Sequence, residues 1–219
     1  KVLEKKIGKK YYVKGAVTQL GILGCDASAW NNKFIEKNPF FCPDKKVLKL
    51  WEKYLLAIRT SGSSCGAVIE LRANGVPSGL GAPIYSKLDM DLASAMMSIN
   101  AVKGVNIGTG MDVAQLTGEQ NSDEIRQKGN KTVFKSNNAG GILGGISSGQ
   151  QIKVSFAVKP TSSILNSRKT IDKFGKNTNI SVRGRHDPCV GIRAVPIGEA
   201  MMHCVLLDHF LMHKAQCES

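Results

Sequence analysis

Two hydrophobic periods take turns along this chain, and that alternation constrains its fold more than any other feature. Apolar residues recur at every second position at Ala67, Ile69 and Leu71, and again at Ile152, Val154, Phe156 and Val158. That spacing lines one face of a β-strand. At Val47, Leu48, Trp51, Leu55 and Ile58, and at Leu88, Leu92, Ala95, Met96 and Ile99, the spacing is three and four. That period makes a single stripe on a helix. Both periods in one chain predict a fold that mixes helices and strands.

Turn and cap residues set the expected boundaries. A strand rich in aromatic and β-branched residues is expected over 11–18, and a helix over 45–60, capped by Asp44 and stopped at Gly62. A strand at 66–73, a Gly/Pro-rich loop at 74–83 and a helix at 87–101 follow. Residues 103–118 read as strand material and 119–138 as an exposed polar excursion. After a glycine-rich stretch at 140–149 come a strand at 151–158, a polar loop, and a last helix over 196–215. Pro196 suits that helix's first turn, and Glu199 suits the positive end of its dipole. Leu3 and Ile7, four apart, read as the tail of a helix, so the chain is expected to start inside an element. No internal repeat or composition break divides residues 1–219, which are expected to form a single domain.

Composition excludes several classes. No uninterrupted apolar run approaches the roughly 20 residues that cross a bilayer, and no apolar segment follows the charged start Lys1-Val2-Leu3-Glu4 as a secretory signal would require. A soluble, cytoplasmic protein is the expectation, with no membrane partner. The six cysteines form no Cys-x-x-Cys pair and are expected to be reduced. The net charge of +13 favours acidic ligands. Its lysines are not interleaved with aromatics, which make up only 6% of the chain, so a base-stacking nucleic-acid surface is not expected.

Generic motifs mostly fail. Gly144-Gly-Ile-Ser-Ser-Gly149-Gln150 has phosphate-loop glycine spacing but carries Gln150 where lysine must reach the phosphates. Gly108-Thr-Gly110-Met-Asp-Val113 has valine at the third glycine of a dinucleotide fingerprint. His209 and His213 are four apart, but a zinc protease needs glutamate where Phe210 stands, so no metal is expected. The glycines of 140–149 have two readings, tight turns or close approach of backbone to a ligand, and spacing alone leaves both open. Arg185, His186 and Asp187 stand side by side before the last helix. Taken singly they read as an ion pair ordering a loop.

Residues 184–202 also closely resemble the C-terminal signature of the chorismate synthase family. Gly75-Val-Pro-Ser-Gly-Leu-Gly-Ala-Pro83, Met97-Ser-Ile-Asn-Ala-Val-Lys-Gly104, Ser136-Asn-Asn-Ala-Gly-Gly-Ile-Leu-Gly-Gly-Ile-Ser-Ser-Gly149 and Lys159-Pro-Thr-Ser-Ser-Ile164 resemble further family blocks, in family order. Asn38-Pro-Phe-Phe-Cys-Pro43 is similar to the bacterial pattern.

The resemblance implies a β-α-β sandwich, incomplete here because an N-terminal part is missing, and a homotetramer. It implies a lyase converting 5-enolpyruvylshikimate 3-phosphate to chorismate by 1,4-anti elimination, with reduced flavin mononucleotide (FMN) as cofactor. NADP enters only for members that reduce their own flavin. Flavin contacts implied by the matching blocks are Asn100, Ala101, Gly144, Lys159, Pro160, Thr161, Ser162, Ser163 and Arg185. Asp187 matches the aspartate assigned to relaying a proton from flavin N5. Family members also carry a Gly-Glu-Ser-His-Gly block, an arginine-rich block and an Arg-Ser-Ser-Ala-Arg-Glu-Thr block, none of which occurs here. Little lyase activity is therefore expected of these residues alone. A non-catalytic flavin-binding or assembly fragment and a basic nucleic-acid-binding protein are the alternatives.

Overall fold

The computed structural model describes residues 2–8, 10–184 and 186–217, leaving aside the side chains of residues 2, 4 and 131. In chain order the elements are α1 (Val2–Ile7), β1 (Tyr12–Leu20), β2 (Leu23–Gly24), α2 (Asn32–Ile35), α3 (Leu48–Thr60), β3 (Ala67–Asn74), α4 (Leu88–Met97), β4 (Val102–Ile107), α5 (Gly118–Asn121), β5 (Ile125–Lys128), β6 (Lys131–Phe134), β7 (Ile142–Leu143), β8 (Ile146–Ser147), β9 (Ile152–Val158), β10 (Arg168–Ile171), β11 (Asn177–Ile180) and α6 (Gly191–Cys217). Short 3₁₀ turns cover Ala27–Ala29 and Gly110–Gln115. One sheet has the order β2-β1-β3-β9-β4, and three two-stranded hairpins are antiparallel. The fold is α+β.

The chain divides into two compact units: Lys1–Gly15, Glu70–Phe156 and Val195–Ser219 in the first, Ala16–Ile69 and Ala157–Ala194 in the second. The division passes through β1, β3, β9 and α6. In the first unit, Leu71, Leu92, Met96, Ile152, Val154, Val195, Met202 and Leu206 are fully buried. Glycines allow helix and strand to meet: a Cβ on Gly198 would lie 3.0 Å from the Phe156 ring, and one on Gly15 would lie 2.8 Å from Leu71 Cδ2. The buried Glu70 is paired with Arg72 at 2.7 Å and Lys153 at 3.3 Å, as a carboxylate inside a core requires. In the second unit, Val17, Leu20, Ile35, Trp51 and Ile69 are fully buried.

The alternating segments form strands where expected. The helices differ at their ends. Asp44 does not cap α3: its carboxylate accepts from Lys46 N at 2.8 Å, and the helix starts at Leu48. The expected stop is correct. Gly62, at φ +69°, donates to Arg59 O, and Ser63 N donates to Ile58 O, closing a Schellman motif. Helix α4 ends at Met97, four residues early, and Ala101 follows at φ +71°. Residues 103–118 are strand only to Ile107, then a 3₁₀ turn.

The last helix begins at Gly191, five residues before Pro196, which therefore lies inside it. Glu199 is correspondingly not at the dipole's positive end; its carboxylate accepts from Gly15 N at 2.7 Å. Helix α6 is long and apolar enough to cross a bilayer by length and composition. Two of its polar side chains are nonetheless engaged by protein: His203 meets the Tyr11 hydroxyl at 2.8 Å, and buried His209 meets Asp91 at 2.9 Å.

Candidate functional site

In the second unit, one dipeptide holds two of the predicted segments. Ser64 Oγ donates to Thr161 O at 2.6 Å, and the next residue's amide, Cys65 N, donates to Pro188 O at 2.9 Å. Gly66 continues the contact, since a Cβ there would lie 2.7 Å from Val158 O and 3.3 Å from Pro160 Cδ. Only glycine lets β3 start so close to the end of β9. The 159–163 turn and the 186–188 segment are therefore fixed to the same point of backbone.

Beside the 186–188 segment lies a cavity of about 220 Å³ lined by Arg59, Gly62, Ser63, Ile164, Leu165, Gly184, His186 and Pro188. That is below the ~300 Å³ of a pocket for a whole drug-sized ligand. Lys159, Pro160 and Ser162 are exposed, and Thr161 and Ser163 are half-buried. Among the described residues Lys159 makes no ion pair. A free cation beside two hydroxyls suits a phosphate or an anionic ring.

Asp187 is paired with Arg193 in the first turn of α6. Arg193 Nε reaches Oδ2 at 2.9 Å and Nη2 reaches Oδ1 at 3.2 Å. The two-pronged contact orients the carboxylate and leaves a lone pair on each oxygen for a proton or donor. Arg185 lies outside the described residues. His186 Nε2 is 3.2 Å from Val182 O, within its own loop.

The remaining predicted residues, Asn100, Ala101 and Gly144, belong to the first unit. Asn100 is exposed, and the left-handed Ala101 follows it in the turn before β4. A non-glycine residue with φ near +71° is a strained position worth noting. The glycine-rich stretch resolves both earlier readings. Cβ atoms on Gly140, Gly141 and Gly145 would strike backbone at 2.4, 2.5 and 2.5 Å, so those glycines serve close packing. Gly144 has φ +59° and no atom within 4 Å of a built Cβ, so it stands open. Gly144–Gly149 runs through the β7–β8 hairpin toward β9 rather than into a helix, as a phosphate loop would need. Gly108-Thr-Gly110 likewise enters a 3₁₀ turn, not a dinucleotide-binding helix.

Asp123 organises the approach to this stretch. Burial opposes ionisation, but the Ser136 hydroxyl at 2.6 Å and the backbone N–H groups of Ala139 and Asn138 hold its carboxyl below the usual range.

Comparison with known proteins decides the family. The chorismate synthase family model matches residues 1–211. The chain belongs to the chorismate synthase family. A chorismate synthase from Pelagibacter ubique (strain HTCC1062) is 81% identical over 217 residues, covering 99% of this chain and 60% of that protein. One from Bradyrhizobium sp. (strain BTAi1 / ATCC BAA-1182) is 60% identical over 214 residues, covering 98% and 59%. A crystal structure of chorismate synthase matches with TM-score 0.78 at 28% identity, covering 95% of this chain and 59% of that one. The chain thus spans about 60% of the length of the chorismate synthases it matches.

Sequence reasoning missed three residues of this neighbourhood. Ser64, Cys65 and Arg193 gave no local signal, because each acts through a partner in another segment.

Proposed function

We propose that this chain contributes the flavin-facing part of a chorismate synthase: FMN-dependent 1,4-anti elimination of phosphate from 5-enolpyruvylshikimate 3-phosphate in aromatic amino-acid biosynthesis. Family membership supports the reaction. The observation that carries the site is the Ser64–Cys65 dipeptide, which gathers the 159–163 turn and the 186–188 segment.

Bound reduced FMN would supply electron density to the substrate as phosphate leaves. Lys159 offers the cation that favours an anionic ring or a phosphate, and Thr161, Ser162 and Ser163 offer hydroxyl and amide donors. Asn100, Ala101 and Gly144 are assigned to the flavin on the family blocks, with Gly144 free of the chain's own atoms. Arg185 and Pro160 are carried over on the same ground. Asp187, oriented by Arg193, takes the proton-relay role. A cytoplasmic homotetramer and the phosphorylated, dicarboxylate substrate complete the reading; the net charge of +13 suits such ligands.

Thermal unfolding with ligands tests it. At a hundredfold excess over Kd, reduced FMN stabilises a binder by ~2.7 kcal/mol, which for a chain of this size is a rise of roughly 5–10 °C. A rise with FMN and none with an oligonucleotide supports the proposal. A rise only with the oligonucleotide, steeply reduced by salt, overturns it in favour of nucleic-acid binding. Chorismate formation under anaerobic conditions separates an active enzyme from a flavin-binding fragment.

A further inference from the structure

Two buried thiols lie in the same unit, and of these residues the site above uses only the Cys65 backbone amide. Cys65 and Cys189 are 124 positions apart and 5% and 3% exposed, and each perturbs the ionisation of the other. The backbone bond from Cys65 N to Pro188 O at 2.9 Å holds the residues side by side, and Cys189 Sγ also lies 3.8 Å from Gly66 O. Both are free thiols, as are Cys42, Cys204 and Cys217. Two cysteines brought together from distant segments are unlike the isolated Cys42, whose thiol donates to Asp44 O and is pushed up by burial to about 11.

The pair is also asymmetric. Cys189 sits just ahead of α6, where the backbone N–H groups of Gly191 and Ile192 favour its ionised form. Helix N-termini favour a thiolate. The hydrogen bond from Cys65, then those two N–H groups, lower the Cys189 thiol, against burial and the Asp187 charge. That same hydrogen bond, together with burial, raises Cys65. Cys189 further lines a cavity of about 310 Å³, with Phe40, Leu55, Arg59, Asp187 and Arg193 on its walls. A small oxidant has a way in.

We propose that Cys65 and Cys189 form a dithiol that hydrogen peroxide oxidises to a disulfide, with Cys189 the attacking sulfur and Cys65 the resolving one. The Cys189 thiolate attacks one peroxide oxygen. The O–O bond breaks, the leaving hydroxide takes up a proton as water, and Cys189 becomes a sulfenic acid. The Cys65 sulfur then loses its proton and attacks the Cys189 sulfur, the S–O bond breaks, and a second water leaves. The two thiols give up two electrons and peroxide accepts them. A thiol reductant reverses the step. The bond would tie the start of β3 to the segment carrying Asp187. The proposal does not depend on flavin binding.

Peptide mapping tests it. The protein as expressed is reduced, exchanged out of reductant, exposed to hydrogen peroxide, then denatured in N-ethylmaleimide and digested. The expected product is a Cys65–Cys189 cross-linked peptide that dithiothreitol abolishes, with Cys42 still labelled as a free thiol. In Cys65→Ser, dimedone is expected to trap a sulfenic acid at Cys189. The wild-type map needs no variant, so a misfolded substitution does not spare the proposal. Recovery of Cys65 and Cys189 as free thiols, while exposed Cys204 and Cys217 oxidise, overturns it. So does dimedone trapping at Cys65 in Cys189→Ser with none at Cys189 in Cys65→Ser.

Discussion

Gly191→Ala is a demanding test of how α6 positions the 186–190 segment. Gly191 is the first residue of α6, and a Cβ built on it would lie 2.5 Å from Ala67 Cβ and 3.5 Å from Ile69 Cδ1. No rotamer relieves the first contact, because both atoms are fixed to backbone. The helix start must therefore move off β3. Overpacking of this kind costs ~1–3 kcal/mol, while the helical gain of alanine over glycine is at most ~1 kcal/mol and is smaller in a first turn. A net loss of about 1–2 kcal/mol is expected, read as a lower urea midpoint with unchanged slope. Amide hydrogen exchange across 186–190 is expected to quicken in parallel. The control is Gly104→Ala, where no atom lies within 4 Å of a built Cβ; it is expected to stay within ~0.5 kcal/mol of wild type. If Gly191→Ala matched wild type, or if Gly104→Ala fell as far, the close approach of α6 to β3 would not be what places this segment.

Ser64→Ala removes the hydroxyl that holds Thr161 O at 2.6 Å. The loss is ~1 kcal/mol, and if the turn contacts flavin, FMN affinity by titration calorimetry falls about fivefold. Ser61→Ala, whose hydroxyl bonds Ile58 O in its own helix end, leaves affinity unchanged. Asp123→Asn tests the carboxylate before the glycine-rich hairpin. Since the folded carboxyl is held low, its stabilisation is present above the unfolded value of ~3.9 and is lost as pH falls through the still lower folded value. Denaturation midpoints of wild type and variant should therefore differ at pH 6 and converge below roughly pH 4. A gap that stays constant with pH would show that the charge is not involved.

The elements legible in sequence were those whose buried face repeats. Ile152, Val154, Phe156 and Val158 announce β9 because every second residue enters the core. The hairpins β5–β6 and β10–β11 gave no such signal, since every side chain described in β5, β10 and β11 is exposed. The β10–β11 hairpin is instead organised by its turn, where Asp172 accepts from Phe174 N and Lys176 N and Gly175 takes φ +79°. Pro196 favours a first turn and so points to a later start for α6, whereas the helix begins at Gly191, where the missing Cβ lets it lie close to Ala67. Site residues were named from the family blocks. The bonds that gather Thr161 and Pro188 at Ser64–Cys65 join positions about a hundred residues apart, beyond any local pattern.

Hydrogen exchange followed by mass spectrometry, with and without reduced FMN under anaerobic conditions, bears most directly on the proposed site. Residues 159–164 and 186–190 are expected to slow together on binding, because both hang from one dipeptide. Binding that slows exchange elsewhere while leaving both stretches untouched would contradict the assignment of the flavin to them.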